Sequence, residues 1–589
     1  MDILDISIIA GYFVFIIVAA FIFKRFAKTS SGFIRGGGAM MWWMAGATAF
    51  MTQFSAWTFT GAAAKAYEDG LAVLFLFWGN ALGFFVAAMY FASRYRKLRV
   101  DTAMEVIRMR FGRLSEQVFT WLQFPLTTIS AAIWLNGLAI FVAAVFHIDL
   151  YITIIGVGIL VTFIAVSGGS WTVSATNVIQ LVLLMAITLT VGAYALIYIG
   201  GPVELIEKSE IPSFMGTDIN YWQIFVVWIV FIMMKQTIGT NNAMSCYRFL
   251  VTVNEKEAQK AAWVAGIMFI IGPIMWFIPP WVTATMHVDL QTFYPNLGTS
   301  ANNAAYLFFI QNYMPQGVLG LVLAAMIAAT IAPMTTALNR NAGIFVRNVY
   351  QSVINPKATE AQQMRLSKLS TIFNGVISIG AALLFASIQE YSFFDLMMLF
   401  GALLQIPLAI PSLMGMVIVK TPDWSAWATL VVGLLVSCFM QFVFHVDWLL
   451  PLFNAESFTH RESVDLTVVA MLMAQIVITG GFFALTSIWY KAPKEARKQE
   501  LERFYHNVNT PISAEEEALV DGKQGAYLGR LSQVLGILII LVGVIFETGY
   551  DMLTFIVIGG LILWAGSHLY KSRLAIKQVT EEAIISNGQ

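Results

Sequence analysis

Residues 51–61, MTQFSAWTFTG, are the most informative part of the sequence, because they place glutamine, serine, threonine and glycine in the middle of a long apolar stretch. Lipid offers no hydrogen bonds, so polar groups inside a bilayer must be satisfied within the protein or must line a cavity. The surrounding stretch, 42–66, is long enough to cross a membrane. It predicts a membrane helix with an interruption that exposes backbone carbonyls to an ion or solute. Helix packing through small and hydroxyl side chains is the alternative explanation.

The composition of the whole chain also indicates a membrane protein. Of the 589 residues, 58% are hydrophobic and 12% are charged, and 34 Lys and Arg balance 34 Asp and Glu. Soluble domains are about 45–50% apolar and about 25% charged. The absence of a basic excess argues against a nucleic-acid partner, and two cysteines in separate apolar stretches argue against a disulfide framework. We find no nucleophile–base pair, glycine-rich phosphate loop or metal-ligand cluster, so an enzyme is not expected.

Fifteen apolar segments are long enough to span a bilayer core of ~30 Å. They lie at approximately 5–24, 42–66, 71–93, 115–146, 150–168, 175–200, 222–247, 259–288, 317–346, 366–390, 392–420, 425–446, 466–490, 530–548 and 552–570. Lys and Arg follow the odd-numbered segments, and such residues accumulate on the cytoplasmic side. We therefore expect an all-α integral protein of the inner (plasma) membrane, with its N-terminus outside, its C-terminus in the cytoplasm and no obligatory protein partner.

A second polar run, KQTIGTNN at 235–242, occupies the matching place in a later segment. Five segments across 42–200 and five across 222–420 form two units, and the odd number of helices inverts the second unit relative to the first. Inverted repeats have their site at the midplane, where the first helix of each half is interrupted. The other predicted parts are a peripheral helix in 1–30, peripheral helices in 421–490, a cytoplasmic linker with a short surface helix in 491–529, and a C-terminal helix pair with a tail in 530–589.

Four motifs resemble those of the sodium/solute symporter family, which includes the sodium–glucose transporters and has the LeuT-type five-plus-five inverted fold. They are WWMAGAT (42–48) leading into FTG (59–61), GGSWTVSATNVIQ (168–180), GTNN (239–242) with YRFL (247–250), and AATIAPMTTALN (328–339). The resemblance covers roughly residues 5–490. It implies a secondary transporter with broken first and sixth core helices, which imports a small polar organic solute by alternating access and is coupled to sodium.

The resemblance also implies ligands for sodium. The carbonyl ligands of the core sodium site fall on Met51, Phe54 and Ala329. Ala332 and Pro333 stand where such symporters usually carry hydroxyl groups. A second sodium site in some members falls on Thr335, Thr336 and Asn177. Sodium is a hard cation that prefers several oxygen ligands, which leaves three alternatives: sodium held by these threonines and the Asn177 amide oxygen, coupling to protons, or uncoupled transport. We favour sodium because the rest of the scaffold is intact.

Solute contacts implied by the resemblance are neutral polar side chains and one lysine. They are Gln53, Thr58, Asn80, Lys235, Gln236 and Asn241. Amides and hydroxyls suit a hydroxylated solute such as a sugar. Lys235 lies about 20 Å along its helix, where an inserted cation costs at least ~2.5–3.5 kcal/mol. Its partner could be the carboxylate of a sugar acid such as a uronate, or Lys235 could snorkel to the surface or pair with a structural carboxylate.

Three further expectations follow from the sequence. Lys65 is close to Glu68 and Asp69, which predicts a local ion pair. Trp57 and Trp134 could stack on a sugar ring, although buried tryptophans more commonly pack in a core. The competing function is a membrane sensor or transceptor that has lost coupling. A sensor ordinarily needs an output domain, and the chain beyond 490 shows no kinase-like motif.

Overall fold

The computed structural model describes residues 3–24, 40–167, 170–208, 218–387, 393–493, 495–513, 516 and 523–587. Within these ranges the chain is helical, and its only β pairing is an isolated bridge between Met40 and Thr252. Twelve helices in these ranges are long and apolar enough to cross a membrane, and Ile3–Ala19 and Leu150–Phe163 are shorter apolar helices. The predicted all-α membrane class is confirmed, whereas the count of fifteen spans stays a prediction. Gly168 and Gly169 of the quoted motif lie outside the described residues.

The first part of the chain contains a peripheral helix and the predicted first unit. Its helices are α1 Ile3–Lys24, α2 Trp42–Met51, α3 Gly61–Asp69, α4 Val73–Val86, α5 Ala92–Lys97, α6 Ala103–Phe146, α7 Leu150–Ser167, α8 Ser170–Ile199 and α9 Pro202–Lys208. A 3-10 turn, Ala56–Phe59, lies between α2 and α3, and a π turn, Ala87–Phe91, joins α4 to α5.

The predicted second unit has the same character. Its helices are α10 Trp222–Asn241, α11 Tyr247–Leu250, α12 Glu255–Trp276, α13 Ile278–Ala284, α14 Leu290–Phe293, α15 Ala305–Tyr313, α16 Val318–Ile344, α17 Glu360–Ala386, α18 Phe393–Phe400 and α19 Ile406–Val417. Pro295–Ala304 forms a 3-10 segment, π turns follow α16 at Phe345–Ile354, and a π turn joins α18 to α19 at Gly401–Gln405.

Peripheral helices complete the chain. They are α20 Ser425–Phe442, α21 Leu450–Phe453, α22 His460–Ala474, α23 Gly480–Leu485, α24 Glu495–Asn509, α25 Lys523–Phe546 and α26 Gly549–Asn587. Short turns lie at Val446–Leu449, Gln475–Thr479 and Thr486–Trp489. Helix α24 is the short surface helix expected in the linker. Helices α25 and α26 pack on each other and on α8.

Several of these helices begin where a side chain caps the first turn. The hydroxyl of Thr102 accepts a hydrogen bond from the backbone N–H of Glu105, and Asn254 does the same for Glu257. Two reciprocal capping boxes start α17 and α22, at Thr359 and Thr459. Such side chains satisfy N–H groups that have no partner inside the helix.

Corresponding helices of the two predicted units make corresponding contacts with the other unit. Helix α2 of the first unit packs on α12 of the second, and α4 packs on α10, which is the same pair with the units exchanged. In the same way α6 packs on α17 and α7 packs on α16. Two repeats of one five-helix unit would produce this pattern, so it supports the division at 42–200 and 222–420, which stays a prediction.

The two interruptions differ in how well the sequence located them. Helix α2 ends at Met51, and Ser55 has an extended backbone (φ −152°, ψ 175°) before the 3-10 turn. This break lies inside the predicted segment 51–61. The other prediction was wrong by about one turn: residues 235–241 are helical, and the chain leaves the helix at 242–246 before α11. Some polar side chains of the run bond to the α10 backbone without interrupting it, since Asn241 Nδ2 donates to the carbonyl of Thr237 at 2.9 Å.

Candidate solute and cation sites

A cavity of about 250 Å³ lies beside the break in the first core helix. Its lining comes from the α2–α3 break and from helices α2, α4, α6, α8, α10, α11, α16, α18 and α19. Four of the predicted solute-contact residues line it: Gln53, Asn80, Lys235 and Gln236. Trp57 and Trp134 also line it, and the lining extends to Val251 and Ser412. We call the end near Val251 the inner end, following the predicted orientation.

The structure positions Thr58 and Asn241 outside this lining. Thr58 is 1% exposed in the 3-10 turn. Asn241 is fully buried, and its Nδ2 donates to the carbonyl of Gly83 at 2.8 Å as well as to that of Thr237. Asn241 therefore joins α10 to α4, which is a packing role.

Lys235 is one of the basic side chains that line the cavity. It is 5% exposed, so it does not snorkel to the surface. Its Nζ lies 3.4 Å from Sδ of Met398, and no described carboxylate oxygen lies within 4.0 Å of it. Among the described residues, Lys235 therefore has no carboxylate partner of the kind that the sequence left open. Keeping a buried lysine protonated beside only a thioether costs free energy unless an anion binds next to it.

Sequence reasoning missed a polar face of α6 and the turn opposite it. Nε2 of Gln123 donates to the hydroxyl of Thr127 at 2.7 Å, and Nε2 of Gln405 lies 3.4 Å from Oγ of Ser130. All four residues line the cavity. The spacing of four and three residues in 123–130 is a helical period and would have found the α6 face. The π turn that positions Gln405 leaves no such signal.

Aromatic and charged side chains lie near Trp57, on the side of the cavity away from Val251. The ring of Trp57 stacks on that of Phe394, with centroids 5.6 Å apart. Beyond them, Asp69 pairs with Lys65, as predicted, and with Arg461, whose Nη1 lies 2.7 Å from Oδ1. Arg461 also lies 3.5 Å from Asp465. These side chains are at most 10% exposed, so α3 is linked to α22 through buried charges.

The predicted ligands of the core sodium site lie deep in the protein. Met51, Phe54 and Ala329 are fully buried. Pro333 has no N–H, so the carbonyl of Ala329, four residues earlier in α16, lacks the i+4 donor of a regular helix. No described residue donates a hydrogen bond to the carbonyl of Phe54. The carbonyl of Phe54 has no described donor, that of Ala329 lacks its i+4 donor, and that of Met51 accepts from the N–H of Phe54 at 3.3 Å.

The break and α16 are also joined directly. The backbone N–H of Ala56 donates to Oγ1 of Thr330 at 3.1 Å, within the buried interior. The donor lies two residues after Phe54 and the acceptor one residue after Ala329, so this hydrogen bond crosses the junction at which the carbonyl ligands are expected.

The predicted ligands of the second cation site, Thr335, Thr336 and Asn177, differ in whether they are already hydrogen-bonded. The hydroxyls of Thr335 and Thr336 donate to carbonyls of their own helix, at 2.6 and 2.7 Å. Each hydroxyl oxygen keeps acceptor capacity. Asn177 is fully buried, and neither atom of its amide has a hydrogen-bond partner in the described structure. A buried amide without partners is rare and fits a missing ligand or water.

A cavity beside a broken helix, near buried backbone carbonyls, is the arrangement expected of a solute and cation carrier. The model of the sodium:solute symporter family matches residues 33–433. The chain belongs to this family. Membership confirms the family resemblance inferred from the four motifs. It also confirms that the protein is an integral membrane protein and a sodium-coupled solute transporter. The family consists of transporters of small solutes rather than enzymes.

Individual relatives of the symporter are distant. The sodium/sialic acid symporter of Proteus mirabilis is 25% identical over 458 residues, which is 74% of this chain and 88% of the relative. The sodium/glucose cotransporter of Vibrio parahaemolyticus is 23% identical, covering 67% and 78%. Human sodium/myo-inositol cotransporter 2 is 24% identical, covering 73% and 68%.

A solved structure supports the fold. An outward-open, substrate-bound sodium-coupled sialic acid symporter superimposes with a TM-score of 0.66 and 20% identity, covering 84% of this chain and 99% of that chain. At this identity the similarity concerns the fold alone.

Proposed function

We propose that the symporter imports an acidic, hydroxylated solute of the sugar-acid class. The observation that carries this proposal is Lys235, a cavity-lining ammonium group that is 5% exposed and has no described carboxylate within 4.0 Å. A solute carboxylate would supply the missing charge. The amides of Gln53, Asn80 and Gln236 offer donors and acceptors to hydroxyl groups at the same cavity.

The relatives are compatible with this class of solute. They are named for sialic acid, which carries a carboxylate and several hydroxyl groups, and for the neutral solutes glucose and myo-inositol. A neutral solute would leave Lys235 buried without a counter-charge. The lysine therefore favours the acidic member of this set of chemistries.

Transport would proceed by alternating access. With the N-terminus outside, as the basic loops predict, the cavity lining extends toward the cytoplasmic ends of α10 and α19, while Trp57, Phe394 and the Lys65–Asp69–Arg461 pairs close the outer side. Solute and sodium bound together would favour reorientation of the cavity, because each ligand shifts the equilibrium toward the states that it binds better.

Sodium would bind through the carbonyls of Met51, Phe54 and Ala329, the last of them freed by Pro333. Thr335, Thr336 and the Asn177 amide oxygen would form a second, weaker position. Because hydroxyl ligands are absent at 332 and 333, we expect sodium to bind more weakly than it would with those groups present. Proton-coupled and uncoupled transport are the alternatives, and a pH gradient without sodium distinguishes them from sodium coupling.

A thermal-shift screen of the purified protein tests the solute class. Glucuronate, gluconate, glucose, myo-inositol and an amino acid are each added with sodium and with potassium, because a ligand that binds the folded state raises the melting temperature. We expect sugar acids to give the largest shifts, and larger ones in sodium. Equal shifts for glucose and glucuronate would contradict the proposal. Uptake into proteoliposomes then separates a carrier from a sensor, since a sensor binds without flux.

A further inference from the structure

Two arginines, Arg248 and Arg340, line the inner end of the cavity. Nε of Arg248 donates to the carbonyl of Ser245 at 2.5 Å, and Nη1 of Arg340 lies 3.4 Å from the carbonyl of Met244. These carbonyls belong to consecutive residues of the turn that follows α10. The two guanidinium groups are therefore neighbours, on different helices, at the same end of the cavity.

The charge around this cavity has one sign. Its described lining contains Lys235, Arg248 and Arg340 and includes no Asp or Glu. Within the part of the chain that the structure describes, neither arginine has a carboxylate oxygen within 4.0 Å. Like charges that are close together and partly shielded from water repel each other more strongly than in solution. An anion between the arginines would offset this repulsion.

The arginines also keep unused hydrogen-bond donors. A guanidinium group has five N–H donors. Arg248 is 7% exposed and uses Nε on Ser245 and Nη1 on the carbonyl of Ala49, at 3.5 Å. Nε of Arg340 is buried and has no described acceptor. Unsatisfied buried donors are rare in proteins and indicate a missing water or ion.

We infer that Arg248 and Arg340 form a second anion-binding position, which takes the carboxylate of the solute after it leaves Lys235 on its way to the cytoplasm. This inference rests on the proposed acidic solute. Paired guanidinium groups match a carboxylate or another small oxyanion, because their N–H donors can bind two oxygens at once. The competing explanation is that both arginines only neutralise carbonyls at the C-terminal end of α10, where cations are favourable.

Binding of radiolabelled glucuronate to the purified full-length protein in sodium tests the inner position. The variants are Lys235→Met, Arg340→Gln and the double variant, and Arg365→Gln is the matched control because Arg365 is exposed on α17 and does not line the cavity. We expect the Lys235→Met protein to keep weak binding, and the added Arg340→Gln change to weaken that binding at least tenfold, as loss of a charge-assisted hydrogen bond does. Arg340→Lys, which keeps the charge, should retain part of it.

The outcomes separate the two proposals. If wild type binds and Lys235→Met shows no residual binding, or if Arg340→Gln behaves as Arg365→Gln does in both backgrounds, the inner position is overturned and the acidic-solute proposal stands. If Lys235→Met binds as wild type does while the double variant does not bind, the inner position stands and the role of Lys235 falls. Size-exclusion profiles and melting temperatures identify any variant that misfolds, and for Arg340→Gln the Arg340→Lys protein then gives the decisive result.

Discussion

Lys235 packs directly against Gly401: a Cβ added to Gly401 would lie 2.6 Å from Nζ of Lys235. Gly401 begins the π turn between α18 and α19, and Met398, whose sulfur is 3.4 Å from the same Nζ, lies one turn earlier. The end of the Lys235 side chain therefore occupies space that a Cβ at position 401 would fill. Glycine at 401 positions the lysine.

Gly401→Ala should therefore displace Lys235 without unfolding the protein, because the atom that must move is the end of a flexible side chain. We expect binding of glucuronate to fall about tenfold or more, since the charge-assisted contact is lost, while the melting temperature changes little. Gly481→Ala is the control, because nothing lies within 4 Å of a Cβ at that position. Unchanged glucuronate binding in Gly401→Ala would show that the packing of Lys235 against Gly401 does not affect solute binding.

Ala332→Ser adds one hydroxyl where the sodium ligand set lacks it. Ala332 is 1% exposed in α16, near the carbonyl of Ala329. The sodium concentration that gives half-maximal uptake should fall severalfold, because a hard cation gains an oxygen ligand. Ala325→Ser is the control: Ala325 lies on the same helix face two turns earlier and is 2% exposed. An equal effect of the two variants would argue against a sodium site at 329–333.

Arg461→Gln tests the outer ion pairs. It leaves Asp69 and Asp465, which are buried, with fewer counter-charges. Removal of one partner from a buried pair costs about 3–5 kcal/mol, so we expect a clear drop in melting temperature together with reduced uptake. Lys208→Gln removes an exposed pair, with side chains 55% and 46% exposed, and should cost less than about 1 kcal/mol. Similar losses for the two variants would mean that the outer cluster does not stabilise this conformation.

The ion pair of Glu516 with Arg99 should hold the segment after α24 near the loop between α5 and α6 throughout the physiological pH range. The guanidinium of Arg99, 2.7 Å away, lowers the pKa of Glu516 to about 2. A lowered pKa means that the stabilisation is complete above the ordinary value of about 4.5 and is lost only as the pH falls toward 2. Hydrogen exchange of Glu495–Asn509, corrected for its intrinsic pH dependence, should show constant protection from pH 8 to 5.

Glu516→Gln should lower that protection modestly, because the pair is partly exposed and screened by salt. Glu500→Gln is the control, since Glu500 pairs with Arg497 inside the same helix. Loss of protection in the wild-type protein between pH 6 and 5 would contradict the lowered pKa of Glu516.

The sequence located the features that depend on polarity within apolar stretches. It placed the break beside Met51 and a cluster of polar residues around Lys235, because a bilayer makes each such residue costly. It misplaced the second break, since the hydroxyl of Thr237 and Nδ2 of Asn241 donate to carbonyls of the preceding turn and so do not interrupt the helix. It gave no sign of the contact with Gly401, which depends on a π turn and on two segments that are distant in the chain. Tertiary contacts of this kind leave no local pattern.

The role of Lys235 in solute recognition is measured by sodium-driven uptake of glucuronate and glucose into proteoliposomes that contain the wild-type protein or Lys235→Met. We expect the wild-type protein to accumulate glucuronate in preference to glucose, and Lys235→Met to lower glucuronate uptake by at least tenfold while it leaves any glucose uptake nearly unchanged. Equal losses for the two solutes, or preferential uptake of glucose by the wild-type protein, would contradict a carboxylate-binding role for Lys235.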